Sequence, residues 1–181
     1  MTFYHGTNKL IDAIDLSKSR NRVDFGKGFY FTDNADTAYS LAIRKVEIEG
    51  EGIPTVLCYG ISPAIYDLSG LRFSELPEIS WLDFICSNRK MVSTEAMEKE
   101  PRHDYNWLAG PIADDKDVDF IAEYMRNEIS ADNAIKRLRA LPQAQQLSLH
   151  TKEAIDYINE DYVLYKQLKK GRWSQEWTRR K

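Results

Sequence analysis

Very few residues in this chain could staple or metallate a fold. There are two cysteines, Cys58 and Cys86, in 181 residues, and both sit among apolar neighbours. Two thiols do not make a disulfide framework. The three histidines, His5, His103 and His150, have no ligand spacing among themselves or with the cysteines, so no zinc motif is present. No apolar run approaches the roughly 18 residues of a membrane span. The opening MTFYHGTNKL lacks a basic stretch followed by an apolar one, which argues against a secretory leader. The expectation is a cytoplasmic protein that does not enter a membrane.

Several catalytic signatures are also missing. A phosphate-binding P-loop needs Lys-Ser or Lys-Thr after its glycines, and none occurs. A dinucleotide fingerprint needs a third glycine three residues after the second, where this chain has Phe31. There is no Gly-x-Ser-x-Gly elbow, and no internal repeat.

What remains is ordinary globular material, 43% hydrophobic and 29% charged, long enough for one domain with a core. The charge is unevenly placed. Residues 162–181 carry a net +6 and the rest of the chain −9. A basic end on an acidic body fits an acidic partner, a nucleic acid, or a solvated arm.

TFYHGT and GFYFT read as strands, with the polar SKSRNRVDFGKG as the loop between them. DNADTAYSLAIRKVE reads as a helix capped by Asp33 or Asn34. PTVLCYGIS is apolar almost throughout, as in a doubly buried strand, and PAIYDLS is expected to continue the sheet. PEISWLDFICSNRKM looks helical, with Ile79, Leu82, Phe84 and Ile85 nearly on one side. DYNWLAGPIADD reads as strand then turn at Gly110-Pro111. DVDFIAEYMRNEI and SADNAIKRLRAL are amphipathic helices, the second capped by Ser130 and stopped by Pro142. QQLSLHT alternates like a strand, and TKEAIDYINEDYVLYKQLKK reads as a last helix opened by Thr151. The order predicts an α+β domain, with residues 1–160 as its body and 161–181 as a basic C-terminal helix or tail.

YHGT near the start, DFGKGFYFTDNADTA some 20 residues later, DYNWLAGPIADD and QQLSLHTKEA form four blocks. Together they resemble an ADP-ribosyltransferase fold of the poly(ADP-ribose) polymerase-like clan, within a bacterial family of uncharacterised domains. The likeness covers most of residues 3–157. It implies a split β-sheet core with flanking helices and NAD as co-substrate. His5 would bond the adenosine ribose, the Gly6 backbone the nicotinamide carboxamide, and Thr7 would support the ribose. Tyr30 and Tyr39 compete to stack on the nicotinamide; Tyr30 aligns without a gap. Gly28 belongs to the same NAD-binding block. Gln146 falls at the third catalytic position, usually a Glu, with Ser148 two residues on.

Loss of nicotinamide leaves an oxocarbenium-like transition state, which the protein must position and stabilise. A Gln can bond a ribose hydroxyl but cannot ionise, so it is no general base. That favours transfer of a single ADP-ribose to a protein or nucleic acid. The resemblance also implies a toxin with an antitoxin or immunity partner. Asp24, Arg20 and Arg22 in the loop before Gly26 are candidates for the NAD phosphates or the target, or are plain loop charges. Asp114 and Asp115 either orient substrate or cap the helix that follows. The alternative is a module without catalysis on the same fold: an NAD or protein binder, or a nucleic-acid binder whose Trp173 and Trp177 stack on bases.

Overall fold

The computed structural model describes residues 1–20, 23–89, 104–113 and 115–179; the side chains of 115–118 and 160–162 fall outside that description. Among the described residues nine strands join one mixed sheet, with helices packed on it. The α+β class is as expected.

β1 (Thr2–Thr7) is followed by a long loop, then β2 (Phe29–Thr32) and α1 (Ala35–Glu49). Asn34 caps α1, its side chain accepting from Asp36 N and Thr37 N, as a short polar residue ahead of a helix should. β3 (Thr55–Ile61) leads into a 3-10 turn over Pro63–Asp67 and then β4 (Gly70–Arg72). Pro63 has no N–H for a ladder, so PAIYDLS leaves the sheet instead of extending it. Next come α2 (Ile79–Arg89), β5 (Trp107–Pro111), α3 (Asp115–Met125), α4 (Ala131–Arg139), β6 (Gln145–Leu149) and a single turn, α5 (Lys152–Ile155). In α2 the buried residues include Trp81, Leu82, Ile85 and Cys86, whereas Ile79 is exposed.

The expected last helix is absent beyond α5. The chain turns instead into β7 (Ile158–Lys169), β8 (Arg172–Trp173) and β9 (Thr178–Arg179). β7 pairs with β3 from Ile61↔Ile158 to Thr55↔Gln167. Its Ile, Val and Tyr content suits a strand, and without it β3 would be a buried strand with one unpaired edge. As far as Arg179 the basic end thus joins the sheet instead of forming a helix or tail.

The strand order is β4-β5-β6-β2-β1-β3-β7-β8, with β9 on β7. Among the described strands only β4 and β5 run parallel. The pairs Tyr4↔Thr32, Thr32↔Gln146 and Gly110↔Gln146 draw one row of residues across β1, β2, β6 and β5. Paired residues share a face. On that face α1 covers β1 and β3 through Ala38, Ala42 and Val56. α2, α3 and α4 cover the other half with Trp81, Leu82, Ile121 and Leu138 against Leu108 and Tyr30. The opposite face buries Phe31, Leu57, Tyr59, Leu147 and Leu149 under Ile65 and Ala154. β1 and β2 share one registered pair, against six between β1 and β3 and four between β2 and β6. The sheet opens there, beyond Tyr4↔Thr32.

Candidate functional site

The opening between β1 and β2 sets His5, Gly6 and Thr7 beside Phe29 and Tyr30, with His5 bonded across it. Gly6 lies on β1 where α1 crosses closest. A Cβ there would stand 2.3 Å from Ala38 O and 2.9 Å from Ala42 N. Helix packing therefore demands this glycine, whatever its backbone binds. Thr7 is buried one residue on.

His5 is half-buried, its ring stacked on Phe29 at 4.3 Å. Its Nδ1 lies 2.7 Å from Tyr30 O, across the opening. A carbonyl only accepts, so Nδ1 carries the proton. Burial pushes the His5 pKa down to about 4, helped by the positive charges of Lys45 and Arg20 and opposed by the bond to Tyr30. Near neutral pH the ring is therefore uncharged, and Nε2 is a lone-pair acceptor. Lys45, half-buried on α1, has its own pKa lowered by burial; Arg20 and Lys9 push the same way and Glu49 opposes them. The ring thus sits in a positive field.

The Asp24–Gly28 turn explains both of its glycines. Gly26 has φ +77°, a conformation that costs glycine little. Gly28 lies under His150, where a Cβ would be 2.8 Å from the ring and 2.9 Å from Leu149 O. Tyr30 ties the turn back onto the sheet. Its hydroxyl donates to Gly26 O at 2.5 Å and accepts from Phe25 N at 3.1 Å. The Tyr30 ring packs near Phe25, with centroids 6.5 Å apart, on the face covered by α2, α3 and α4.

Asp24 is a hub and not a loop charge. It is 6% exposed. One carboxylate oxygen pairs with Arg89 of α2; the other accepts from Ala113 N at 3.1 Å and from Gln146 Nε2 at 2.8 Å. Its carbonyl takes Asn88 Nδ2 at 2.9 Å. Gln146 is itself buried and donates a second bond to Pro111 O at 3.0 Å. Two residues along, Ser148 Oγ lies 2.7 Å from His150 Nε2, and His150 Nδ1 lies 2.7 Å from Lys27 O. The carbonyl again fixes a proton on Nδ1, and the Ser148 hydroxyl lies between His150 Nε2 and Leu108 O, 3.4 Å away. Ser148 is fully buried, which makes this pair a brace for the turn.

His5, Tyr30 and Gln146 do not present three side chains from one face. Tyr30 and Gln146 share the helix-covered face, while the His5 ring lies against Phe29 of the other face and meets β2 at the Tyr30 carbonyl. Tyr39 is committed elsewhere: its ring lies 4.6 Å from Trp173. Trp177 stacks on Tyr4 at 5.9 Å with Lys166 Nζ over it. The tryptophans considered for base stacking thus clamp the C-terminal strands onto α1 and β1. Arg20 is exposed beside the opening. Arg22 and Asp114 lie outside the described residues, as does the side chain of Asp115, whose backbone starts α3. An open depression of about 600 Å³, lined by residues including Met1, Gly60, Ser62, Asp156 and Asn159, contains none of the expected site residues.

Sequence reasoning missed Arg89 and underrated Asp24. The signal for Asp24 was its place within the quoted block; Arg89, 65 residues away, had none. Among the described residues no group of three or more His, Cys, Asp or Glu could hold a metal, and no helix is long and apolar enough to cross a membrane. No curated protein and no solved structure matches the chain. A family model does, over residues 1–159. The chain belongs to that family, described as Protein of unknown function (DUF3990).

Proposed function

We propose that the protein is a mono-ADP-ribosyltransferase, built on an ADP-ribosyltransferase-like split sheet, that takes NAD as co-substrate and modifies a protein or nucleic acid. One observation carries this reading. The four sequence blocks that resemble such enzymes lie on four adjacent strands, β1, β2, β6 and β5, joined in the row Tyr4, Thr32, Gln146 and Gly110.

The chemistry of the opening fits a nucleotide. The His5 Nε2 lone pair suits a sugar hydroxyl, and Lys45 and Arg20 suit a diphosphate. Gly6 and Thr7 offer backbone beside the ring, and Tyr30 an aromatic face from the other side. Gln146 bonds a hydroxyl without ionising, consistent with single transfer to an acceptor that is already nucleophilic. The setting we propose is a cytoplasmic toxin neutralised by an antitoxin or immunity protein.

The test is nicotinamide release and label transfer from labelled NAD, with host lysate and separately with RNA or DNA. His5→Ala and Gln146→Ala are each expected to lower turnover at least tenfold. Tyr30→Ala should do the same, whereas Tyr39→Ala should leave turnover within threefold of wild type. A wild type that neither transfers label nor releases nicotinamide refutes the enzyme. The amide at position 146 favours a second reading, a fold that binds NAD without catalysis. NAD binding by a turnover-dead wild type would establish it.

A further inference from the structure

Gln146 is held in a single orientation. Its Nε2 faces Asp24 Oδ2 at 2.8 Å and Pro111 O at 3.0 Å. Both partners can only accept, so the amide nitrogen must face them and the carbonyl must face away. Oε1 has no partner among the described residues, and it is absent from the buried atoms that lack one. Asp24 is in turn held by Arg89 and by Ala113 N. A carboxylate fixed against the N–H side of an amide also draws its protons and leaves more negative charge on the oxygen.

We propose that Asp24 is a positioning residue: it turns the Gln146 carbonyl out of the sheet face, polarised, as the acceptor for a hydroxyl of the bound nucleotide sugar. This rests on the NAD reading above. Gln146 would then bear part of the negative charge that a carboxylate would supply at that position. The remainder stays on Asp24, one hydrogen bond behind.

Asp24→Asn removes the charge. Either the introduced amide keeps its oxygen toward Gln146 and the polarisation is lost, or it turns its NH2 there and the Gln146 amide flips, taking Oε1 out of the site. In both cases nicotinamide release should fall at least tenfold in kcat, with NAD affinity within threefold of wild type. Asp24→Asn/Gln146→Glu restores a negative oxygen at position 146, with the NH2 of the introduced amide now donating to it, while the bond to Pro111 O is given up. This double variant should recover at least half of the lost logarithm of activity. The weakened bond to Ala113 N is common to both variants, so their difference reports on position 146.

A second measurement is independent of turnover. In 15N-labelled protein the Gln146 side-chain NH2 signals, assigned by their loss in Gln146→Glu, should exchange at least tenfold more slowly than those of exposed glutamines. Asp24→Asn should remove that protection. If wild type releases no nicotinamide, the transferase reading falls and the amide exchange alone decides the Asp24 assignment. Fast exchange in wild type overturns the assignment, as does an Asp24→Asn variant with turnover and exchange both unchanged. So does a double variant no more active than Asp24→Asn.

Discussion

The His5 ring makes fold stability depend on pH in a way that can be isolated. In the folded protein its pKa is pushed from 6.5 down to about 4. The unfolded chain therefore takes up a proton first as the pH falls. The stability that the neutral ring contributes is present above about pH 6.5 and is lost progressively down to about pH 4. The full gap is worth about 3 kcal/mol, and about 2 kcal/mol is already lost at pH 5. For a domain of this size that is a fall in Tm of about 4–8 °C. His5→Asn supplies the comparison: the Nδ2 of the new side chain can take the place of Nδ1 and keep the bond to Tyr30 O, but it does not titrate. Thermal unfolding of both proteins at about pH 7.5 and about pH 5 gives a difference of differences from which titrating carboxylates cancel. Wild type should lose about 2 kcal/mol more than His5→Asn. Added salt should relieve the part owed to Lys45 and Arg20 and leave the part owed to burial. Equal acid sensitivity in the two proteins would refute the picture of a half-buried ring that the fold keeps neutral.

Three further substitutions test the scaffold. Gly28→Ala drives a methyl into the His150 ring and Leu149 O and should cost about 1–3 kcal/mol in urea unfolding; no loss means that the ring does not lie over the turn. Arg89→Met strands the buried Asp24 carboxylate and should cost about 3–5 kcal/mol, read as a lower urea midpoint at unchanged slope. Trp173→Ala exposes Tyr39 and loosens the C-terminal strands, costing about 1–3 kcal/mol because the ring is only half-buried; a stable variant that instead loses affinity for single-stranded nucleic acid would revive the base-stacking role.

Local chemistry makes much of this fold readable. Strands β1, β2 and β3 declare themselves by aromatic and β-branched runs, β6 by its alternation of leucine with polar residues, and α1 and α4 by their caps and helical spacing. Misreadings fall where local signals conflict. Residues 152–169 carry helix-forming Lys, Glu and Leu beside strand-forming Tyr, Val and Ile, so propensity alone is undecided. The winning term is the vacant edge of β3, which residues 152–169 by themselves do not contain. Spacing assigns Ile79 to the buried side of α2, yet the helix is rotated to bury Trp81, whose Nε1 donates to Pro111 O. A hydrogen bond to a residue 30 positions away sets that rotation.

The site divides along the same line. At Gly6 and Gly28 a close approach leaves its mark in residue type: only glycine tolerates Ala38 O at 2.3 Å or the His150 ring at 2.8 Å. His5 and Tyr30 stand out only through the resemblance of their blocks. The Asp24–Gln146–Arg89 hub leaves no such mark, since an acid, an amide and a cation are each ordinary on a surface. Their meaning arises from burial, and burial is a property of the assembled sheet. Gln146 shows what is at stake. Read alone, an amide at the third position argues against a general base. Placed 2.8 Å from a buried carboxylate that controls which of its atoms faces out, it becomes the neutral half of a hydrogen-bonded pair whose charge lies on Asp24. On the proposed reading the unit to compare with a glutamate is Asp24 and Gln146 together, and a variant of either residue should be judged by what it does to the other.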